Sequence, residues 1–442
     1  MGKKNSLMKN FHSAIFDKDK YERKGFIVVE DNVKYAIMVF FSLIILISSF
    51  ILNNPYEILS GIRQIIVSPS ILVSDYMVIG NMGAAFFNSS ILMLAALIIA
   101  HKSRVNMNGP LMAAIFTIGG FALFGKNIYN VWAIIGGVYL HAGYQKETFS
   151  KFILIAFFGT ALGPLVSQIS FGLDLPLVYS IPLANAAGLL AGFCLPPLAN
   201  HFVKFHQGFN LYNIGFTAGI TGMFFMAVLR AFDFQNPATL IVLEGQNRLL
   251  GFYLVLYFFV MLVIGFFFSR RILPGLTSLW RQSGRLVSDF VTSNGFGASL
   301  MNMALLGFLS TAYILLVGGQ LNGPILGGIF TIVGFGAFGK HVKNVIPVLA
   351  GVYIASLLQI WEPNSTGALL AALFGTTLAP IAGYYGWVYG LVAGFLHMAM
   401  VMNVGYLHGG MNLYNNGFSG GFVAAVLVPI FDSIKKEKDR ED

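Results

Sequence analysis

The chain consists of long apolar runs separated by short polar segments, and the runs do not alternate between apolar and polar residues. Continuous runs such as 37–52 and 254–268 are typical of membrane-spanning helices and unlike the strands of an outer-membrane barrel. A helix needs about 20 apolar residues to cross about 30 Å of hydrocarbon. The pattern predicts these spans: 36–52, 84–101, 152–168, 181–199, 211–229, 250–268, 298–317, 366–384, 387–406 and 411–431.

Shorter apolar arms lie between the second and third spans of each half of the chain. They are 109–125 with 128–143, and 323–339 with 344–359. At 1.5 Å per residue, an arm of about 16 residues reaches only about 24 Å. Each pair is therefore either a tilted crossing hairpin or a re-entrant hairpin that turns inside the protein, and both alternatives add an even number of passes.

One sequence unit occurs twice. The segment 116–126 recurs at 330–340, and 206–216 recurs at 408–418. Such self-similarity predicts two homologous repeats. The predicted organisation is a cytoplasmic arm (1–35), repeat 1 (36–230), a linker (231–249), repeat 2 (250–431) and a charged cytoplasmic tail (432–442).

Five spans and one hairpin give each repeat an odd number of crossings, so we expect the two repeats to have inverted topology. Loop charges agree with this expectation, because Lys and Arg favour the cytoplasmic side. The loop 53–75 has one basic residue, whereas its counterpart 269–289 has four; the loop after the next span reverses the difference. The basic residues concerned are Arg63 against Arg270, Arg271, Arg281 and Arg285, and Lys102 and Arg104 against none in 318–322.

Composition excludes several classes of protein. With 56% hydrophobic and 10% charged residues, the chain is too apolar for a soluble or disordered protein. A single cysteine excludes a disulfide scaffold, and the net charge of +9 is better explained by cytoplasmic loops than by nucleic-acid binding. Enzyme motifs and metal-ligand spacings are missing from the sequence. We therefore expect no catalytic residues, no cofactor and no metal.

The first candidate motif is Asn-Gly-Pro, at 108–110 and 322–324. Asn is a favoured helix cap and Pro a favoured first helical residue, so a helix should begin after Asn108 and after Asn322. If the arms are re-entrant, the free N–H groups of these helices point into the protein interior, and we expect Asn108 and Asn322 to line a solute path. The alternative is an ordinary helix start at the membrane surface.

The second candidate is the pair Lys126 and Lys340, each preceded by glycine at the turn between the short arms. A lysine within the bilayer usually faces water or a partner. The alternative is a lysine that extends to a lipid headgroup. We interpret both lysines as electrostatic tuners of a solute path.

The third candidate is the repeated Asn-Leu-Tyr-Asn sequence, which contains Asn210, Tyr212, Asn213, Asn412, Tyr414 and Asn415. Asparagines three residues apart share a helical face, and their amides beside a tyrosine hydroxyl would make a polar stripe for a small solute. The alternative is that these amides only join neighbouring helices.

Other repeated polar residues are assigned structural roles. His206 and His408 precede the Asn-Leu-Tyr-Asn sequences and are expected to face water at an interface. Asp75 and Asp289 are expected to cap the helices that follow or to contact loop arginines. Thr160 and Thr376 are expected to donate to backbone carbonyls.

With its doubled motifs, the whole chain resembles an uncharacterised bacterial multipass membrane family known only as a domain of unknown function. Short segments, 108–111, 211–215 and 413–417, are also similar to motifs of the urea transporters. That likeness implies two inverted halves, each with five spans and a half-membrane helix, and conduction of a urea-like solute. Lys126 and Lys340 depart from the urea transporter pattern and leave a small anion open as the solute.

The sequence therefore predicts an all-α integral membrane protein of the bacterial inner membrane, with both termini cytoplasmic. We expect a channel or uncoupled transporter for a small polar solute, urea-like and neutral or anionic. The alternatives are an ion-coupled secondary transporter and a non-transporting membrane scaffold. The expected partners are the solute and the lipid bilayer; a homo-oligomer stays open.

Overall fold

The computed structural model describes residues 27, 29–237, 239–269, 272–358 and 360–441, with side chains as far as Lys435. Most of the predicted arm 1–35, as well as Arg270 and Arg271, lies outside the described residues. Within them, the secondary structure is α-helix and short 3-10 helix joined by loops. The all-α class is confirmed.

In the described residues, twenty α-helices form two halves of ten that follow the same order. The first half contains α1 (Asp31–Leu52), α2 (Pro55–Val67), α3 (Tyr76–Ile79), α4 (Met82–Lys102), α5 (Gly109–Phe121), α6 (Trp132–Tyr144), α7 (Ile153–Gly159), α8 (Gly163–Phe171), α9 (Leu177–Phe202) and α10 (Asn213–Ala231). The second half contains α11 (Asn247–Phe267), α12 (Ile272–Leu279), α13 (Phe290–Asn294), α14 (Phe296–Leu316), α15 (Gly323–Phe335), α16 (Val342–Ser356), α17 (Thr366–Gly375), α18 (Ala379–Tyr385), α19 (Trp387–Val404) and α20 (Asn415–Glu441).

Ten helical segments in the described part of the chain are long and apolar enough to cross a membrane. Each predicted span overlaps one of them, so the prediction of ten spans is confirmed, and the chain is a multi-pass membrane protein. In two of the spans, α7 with α8 and α17 with α18, a 3-10 turn joins two shorter α-helices. The spans are Asp31–Leu52, Met82–Lys102, Phe149–Phe171, Leu177–Phe202, Asn213–Ala231, Asn247–Phe267, Phe296–Leu316, Thr366–Tyr385, Trp387–His408 and Asn415–Lys435.

The short helices α5 and α15 pack antiparallel against each other in the core. Gly120 of α5 lies against Gly327 of α15, and Ala113 of α5 lies against Gly334, so the start of each helix is beside the end of the other. A Cβ atom at Gly120 would lie 2.7 Å from the Gly327 carbonyl oxygen, and glycine is therefore what permits this approach. All of α15, and all of α5 except Pro110, is buried. At 13 residues each, both are about 20 Å long and too short to cross the bilayer alone.

Candidate functional site

The two Asn-Leu-Tyr-Asn segments meet where the halves join. The rings of Tyr212 and Tyr414 lie 5.0 Å apart. The Asn210 amide donates to the Gly417 carbonyl at 2.9 Å, and the Asn412 amide donates to the Gly215 carbonyl at 3.2 Å. Each half therefore gives the other the same hydrogen bond, as an approximate two-fold relation requires.

The prediction that Asn210 and Asn213 share one helical face is wrong, and so is its counterpart for Asn412 and Asn415. Helix α10 begins at Asn213 and α20 begins at Asn415, so the first asparagine of each pair precedes the helix. The side chain of Asn210 explains why the helix does not begin earlier. The carboxamide oxygen of Asn210 accepts the N–H of Tyr212 at 3.2 Å, a local bond that competes with helix formation.

Asn412 makes the matching bond, because its carboxamide oxygen accepts the N–H of Tyr414 at 3.1 Å. Asn210 is further held by Thr377, whose hydroxyl donates to the carboxamide oxygen at 2.5 Å. Both amides are fully buried and use donor and acceptor alike. The structure thus gives Asn210 and Asn412 a role in joining the halves; their part in a solute path stays a prediction.

The second asparagine of each pair binds a histidine. Asn213 and His206 are joined at 3.0 Å, and Asn415 and His408 at 2.9 Å. Both histidines are fully buried, so the expectation that they face water is wrong. Sequence reasoning missed this contact because the partners are seven residues apart and separated by a non-helical turn.

The Asn-Gly-Pro motifs begin α5 and α15 as predicted. The Asn108 side chain accepts the N–H of Leu111 at 2.9 Å, and the Asn322 side chain accepts that of Ile325 at 3.0 Å. Their N-terminal ends are not free, however, since a carboxylate from the other half binds each one. Asp289 accepts the N–H of Gly109 at 3.0 Å.

Asp75 accepts the N–H of Gly323, also at 3.0 Å. Each aspartate also caps the helix that follows it, as predicted, through Met77 or Thr292. The positive ends of α5 and α15 are therefore already neutralised by the protein. A solute would find no open helix N-terminus at either motif.

Lys126 and Lys340 are both fully buried, which overturns the alternative of lysines that reach a headgroup. The ammonium of Lys340 donates to the Tyr212 hydroxyl at 2.5 Å and to the Thr376 hydroxyl at 2.7 Å. The ammonium of Lys126 has no hydrogen-bond partner among the described residues. The matched lysines therefore differ in their environment.

A cavity of about 330 Å³ lies between the two halves, and the tyrosine pair forms part of its wall. Of the predicted site residues it is lined by Tyr212, Asn213 and Tyr414, with Lys151 as the one charged residue of its wall. Lys151 is itself paired with Glu147, and the other lining side chains carry no charge. The remaining lining residues are Leu154, Ile155, Phe158, Ala199, Asn200, Leu211, Ile214, Gly215, Leu286, Val287, Phe335 and Phe338.

Threonines complete the site, although the sequence pattern predicted only a local role for them. Thr160 and Thr376 donate to the carbonyls of Phe157 and Leu373, as predicted. Thr376 also accepts a hydrogen bond from Lys340. This tertiary contact cannot be predicted from a sequence pattern. The repeated Gly-Thr pair was the only signal that could have pointed to it.

Two segments of the chain, residues 54–231 and 268–433, match the model of a family described as "Protein of unknown function (DUF1576)". Each segment starts just after the first span of its half, at corresponding places in the two halves. The expectation of an uncharacterised family is confirmed. No curated protein and no solved structure matches the chain, and the resemblance to urea transporters is not shown.

Proposed function

The chain belongs to this family of unknown function, and from its own structure we propose that it carries a small polar solute across the membrane, as a channel or uncoupled transporter. The observation behind this proposal is the cavity of about 330 Å³ between the halves. It reaches the Tyr212–Tyr414 contact, where the halves exchange their matched hydrogen bonds. Solute sites of repeat-built transporters lie at such repeat interfaces.

The proposal includes inverted halves in a bacterial inner membrane, with both termini cytoplasmic. Five spans per half, an odd number, support inversion. Loop contacts support it too. The backbone N–H of Val73 donates to the Thr239 carbonyl, and that of Leu72 donates to the Gly410 carbonyl. Both bonds join loops that are expected on the outer side of the membrane. The backbone N–H of Leu286 donates to the Gly208 carbonyl. This bond joins two loops that are expected on the cytoplasmic side.

On this topology the cavity opens toward the cytoplasm. Its wall includes Lys151, Asn200 and Leu286, which belong to or adjoin loops of the expected cytoplasmic side. We infer that Tyr212 and Tyr414, whose rings pack together, close the opposite end. We infer that the structure represents a form open to the inside.

Inversion predicts that corresponding positions label from opposite sides. Lys102 and Leu316 are exposed counterparts at the ends of α4 and α14. In a Cys194→Ala background, Leu316→Cys should react with an impermeant maleimide added outside intact cells, whereas Lys102→Cys should react only after permeabilisation. Labelling of both cysteines from the same side would contradict inversion.

A bulky side chain in the cavity should block transport. Ile214 of α10 lines the cavity, whereas Val228 of the same helix is 57% exposed on the outer surface. Ile214→Trp should reduce flux at least about tenfold, because the indole fills part of the space the solute needs. Val228→Trp is the matched control and should retain flux.

The measurement uses proteoliposomes, with urea uptake followed by osmotic swelling and nitrate efflux followed electrically with valinomycin present. Equal flux in Ile214→Trp and the wild type would contradict the cavity as the path. Accumulation driven by a pH or sodium gradient would replace the uncoupled mechanism by ion-coupled transport. A lack of flux for every probe would favour the membrane scaffold.

A further inference from the structure

Three buried polar atoms lie without a hydrogen-bond partner around one phenylalanine. They are the ammonium of Lys126, the hydroxyl of Tyr414 and the hydroxyl of Thr117. The parent side chains are at most 1% exposed. Unpaired buried polar groups are rare in folded proteins, because each costs free energy.

Phe121 places these three groups together. Its ring centre is 5.0 Å from the Lys126 ammonium and 4.6 Å from the ring centre of Tyr414. Thr117 lies one turn before Phe121 on the same face of α5, and its hydroxyl is in reach of the Tyr414 hydroxyl, although the two do not meet in hydrogen-bond geometry. The groups therefore form one cluster, at the C-terminal end of α5.

In the second half, the lysine that corresponds to Lys126 has hydrogen-bond partners. There Lys340 donates to two hydroxyls, those of Tyr212 and Thr376, at 2.5 and 2.7 Å. Lys126, Tyr414 and Thr160 are the same residue types at the corresponding positions. Thr160 donates to the Phe157 carbonyl just as Thr376 donates to the Leu373 carbonyl, but Thr160 does not accept a hydrogen bond from Lys126.

The chemistry of the Lys126 cluster defines its ligand. An ammonium offers only donors, and each hydroxyl can add one more. In the described part of the chain the ion pairs within 4.0 Å are Lys34–Asp31 and Lys151–Glu147, so no carboxylate neutralises Lys126. A buried cation without a counter-charge is stabilised most by an anion.

We propose that Lys126, Tyr414 and Thr117 bind a small monovalent anion, such as nitrate, chloride or formate, which is the solute. This inference rests on the proposed transport function for its path, because Tyr414 also lines the central cavity and connects it to the cluster. The enclosed position of the cluster limits the anion to a few atoms. Lys340 provides the corresponding site of the other half, closed here by the two hydroxyls.

Binding is tested separately from transport, on the purified full-length protein in detergent. Thermal unfolding midpoints are compared in sodium nitrate and in sodium gluconate, whose anion is too large, at equal ionic strength. Nitrate should raise the midpoint of the wild type saturably. It should not raise that of Lys126→Met, which keeps the length of the side chain without its charge, whereas the surface variant Lys204→Met should respond like the wild type.

Lys126→Met should fold, since an apolar isostere removes the cost of an unpaired buried charge, and its midpoint in gluconate should equal or exceed that of the wild type. Tyr414→Phe, which keeps the ring, should raise the half-saturating nitrate concentration several-fold. In proteoliposomes Lys126→Met should lower nitrate flux at least about tenfold, while Lys204→Met retains it.

The outcomes separate the two proposals. An equal nitrate response in Lys126→Met and the wild type, or flux of urea without flux of anions, would overturn the anion site and leave transport standing. Binding of nitrate that depends on Lys126, with no flux of any probe, would support the anion site and overturn transport. A nitrate response lost equally in Lys204→Met would indicate a general charge effect and overturn the site.

Discussion

Replacement of Asn210 and Asn412 by leucine together should destabilise the fold rather than selectively stop transport. Leucine at 210 removes the bond to the Gly417 carbonyl, the acceptor of the Thr377 hydroxyl and the acceptor of the Tyr212 N–H. Leucine at 412 removes the reciprocal bond to the Gly215 carbonyl. The two asparagines together make five buried hydrogen bonds. At about 0.5–1.5 kcal/mol each, their loss should cost about 5 kcal/mol and markedly lower the thermal unfolding midpoint in detergent.

The control for the asparagine prediction is Asn403→Leu, an exposed asparagine that bonds only within its own helix. It should unfold within a few degrees of the wild type. The contrary result would be a double variant that unfolds like the wild type but has lost solute flux. In that case both amides would line the path, as the sequence pattern first suggested.

Asp75→Ala should be the most destabilising change of a single carboxylate. The Asp75 carboxylate is fully buried and accepts three backbone N–H groups, from Met77, Leu243 and Gly323, at 2.9 to 3.0 Å. Those donors come from a helix start, the linker between the halves and the start of α15. Alanine would leave all three unpaired, at about 1–3 kcal/mol each, and would release the linker from the second half.

Asp289→Ala provides the matched comparison, because Asp289 holds the corresponding position but is only half-buried. Its bond to Gly109 is only part-buried and its bond to Thr292 is exposed, so less is lost when the carboxylate is removed. We therefore expect a lower unfolding midpoint for Asp75→Ala than for Asp289→Ala, measured on both proteins in the same detergent. Equal midpoints would contradict the special role of burial at Asp75.

Much of the fold was predictable because local sequence carries it. Continuous apolar runs of about 20 residues fix membrane-spanning helices whatever their neighbours are. The caps at Asn108 and Asn322 depend only on residues within four positions, and both were predicted correctly. The recurrence of each motif likewise needs no tertiary information.

The candidate site was less predictable, and Asn210 shows why. A spacing of three residues suggests a shared helical face, but the helix begins only at Asn213, because the Asn210 side chain binds the nearby backbone instead. The sequence pattern predicts that His206 lies at an interface, but in the structure it is buried against Asn213. In both cases a polar side chain satisfied by a tertiary or turn contact looks the same in sequence as one that faces water.

The membrane-spanning class, the duplication and the repeated polar residues follow from the amino-acid order, because hydrophobic length and repetition are properties of the chain alone. In contrast, the binding of Asp75 and Asp289 to the opposite half, and the pairing of Lys340 but not of Lys126, depend on how the helices pack. Those contacts join residues 128 or more positions apart. Their energy depends on burial and on atoms brought within hydrogen-bond distance, and neither is written in the order of the residues.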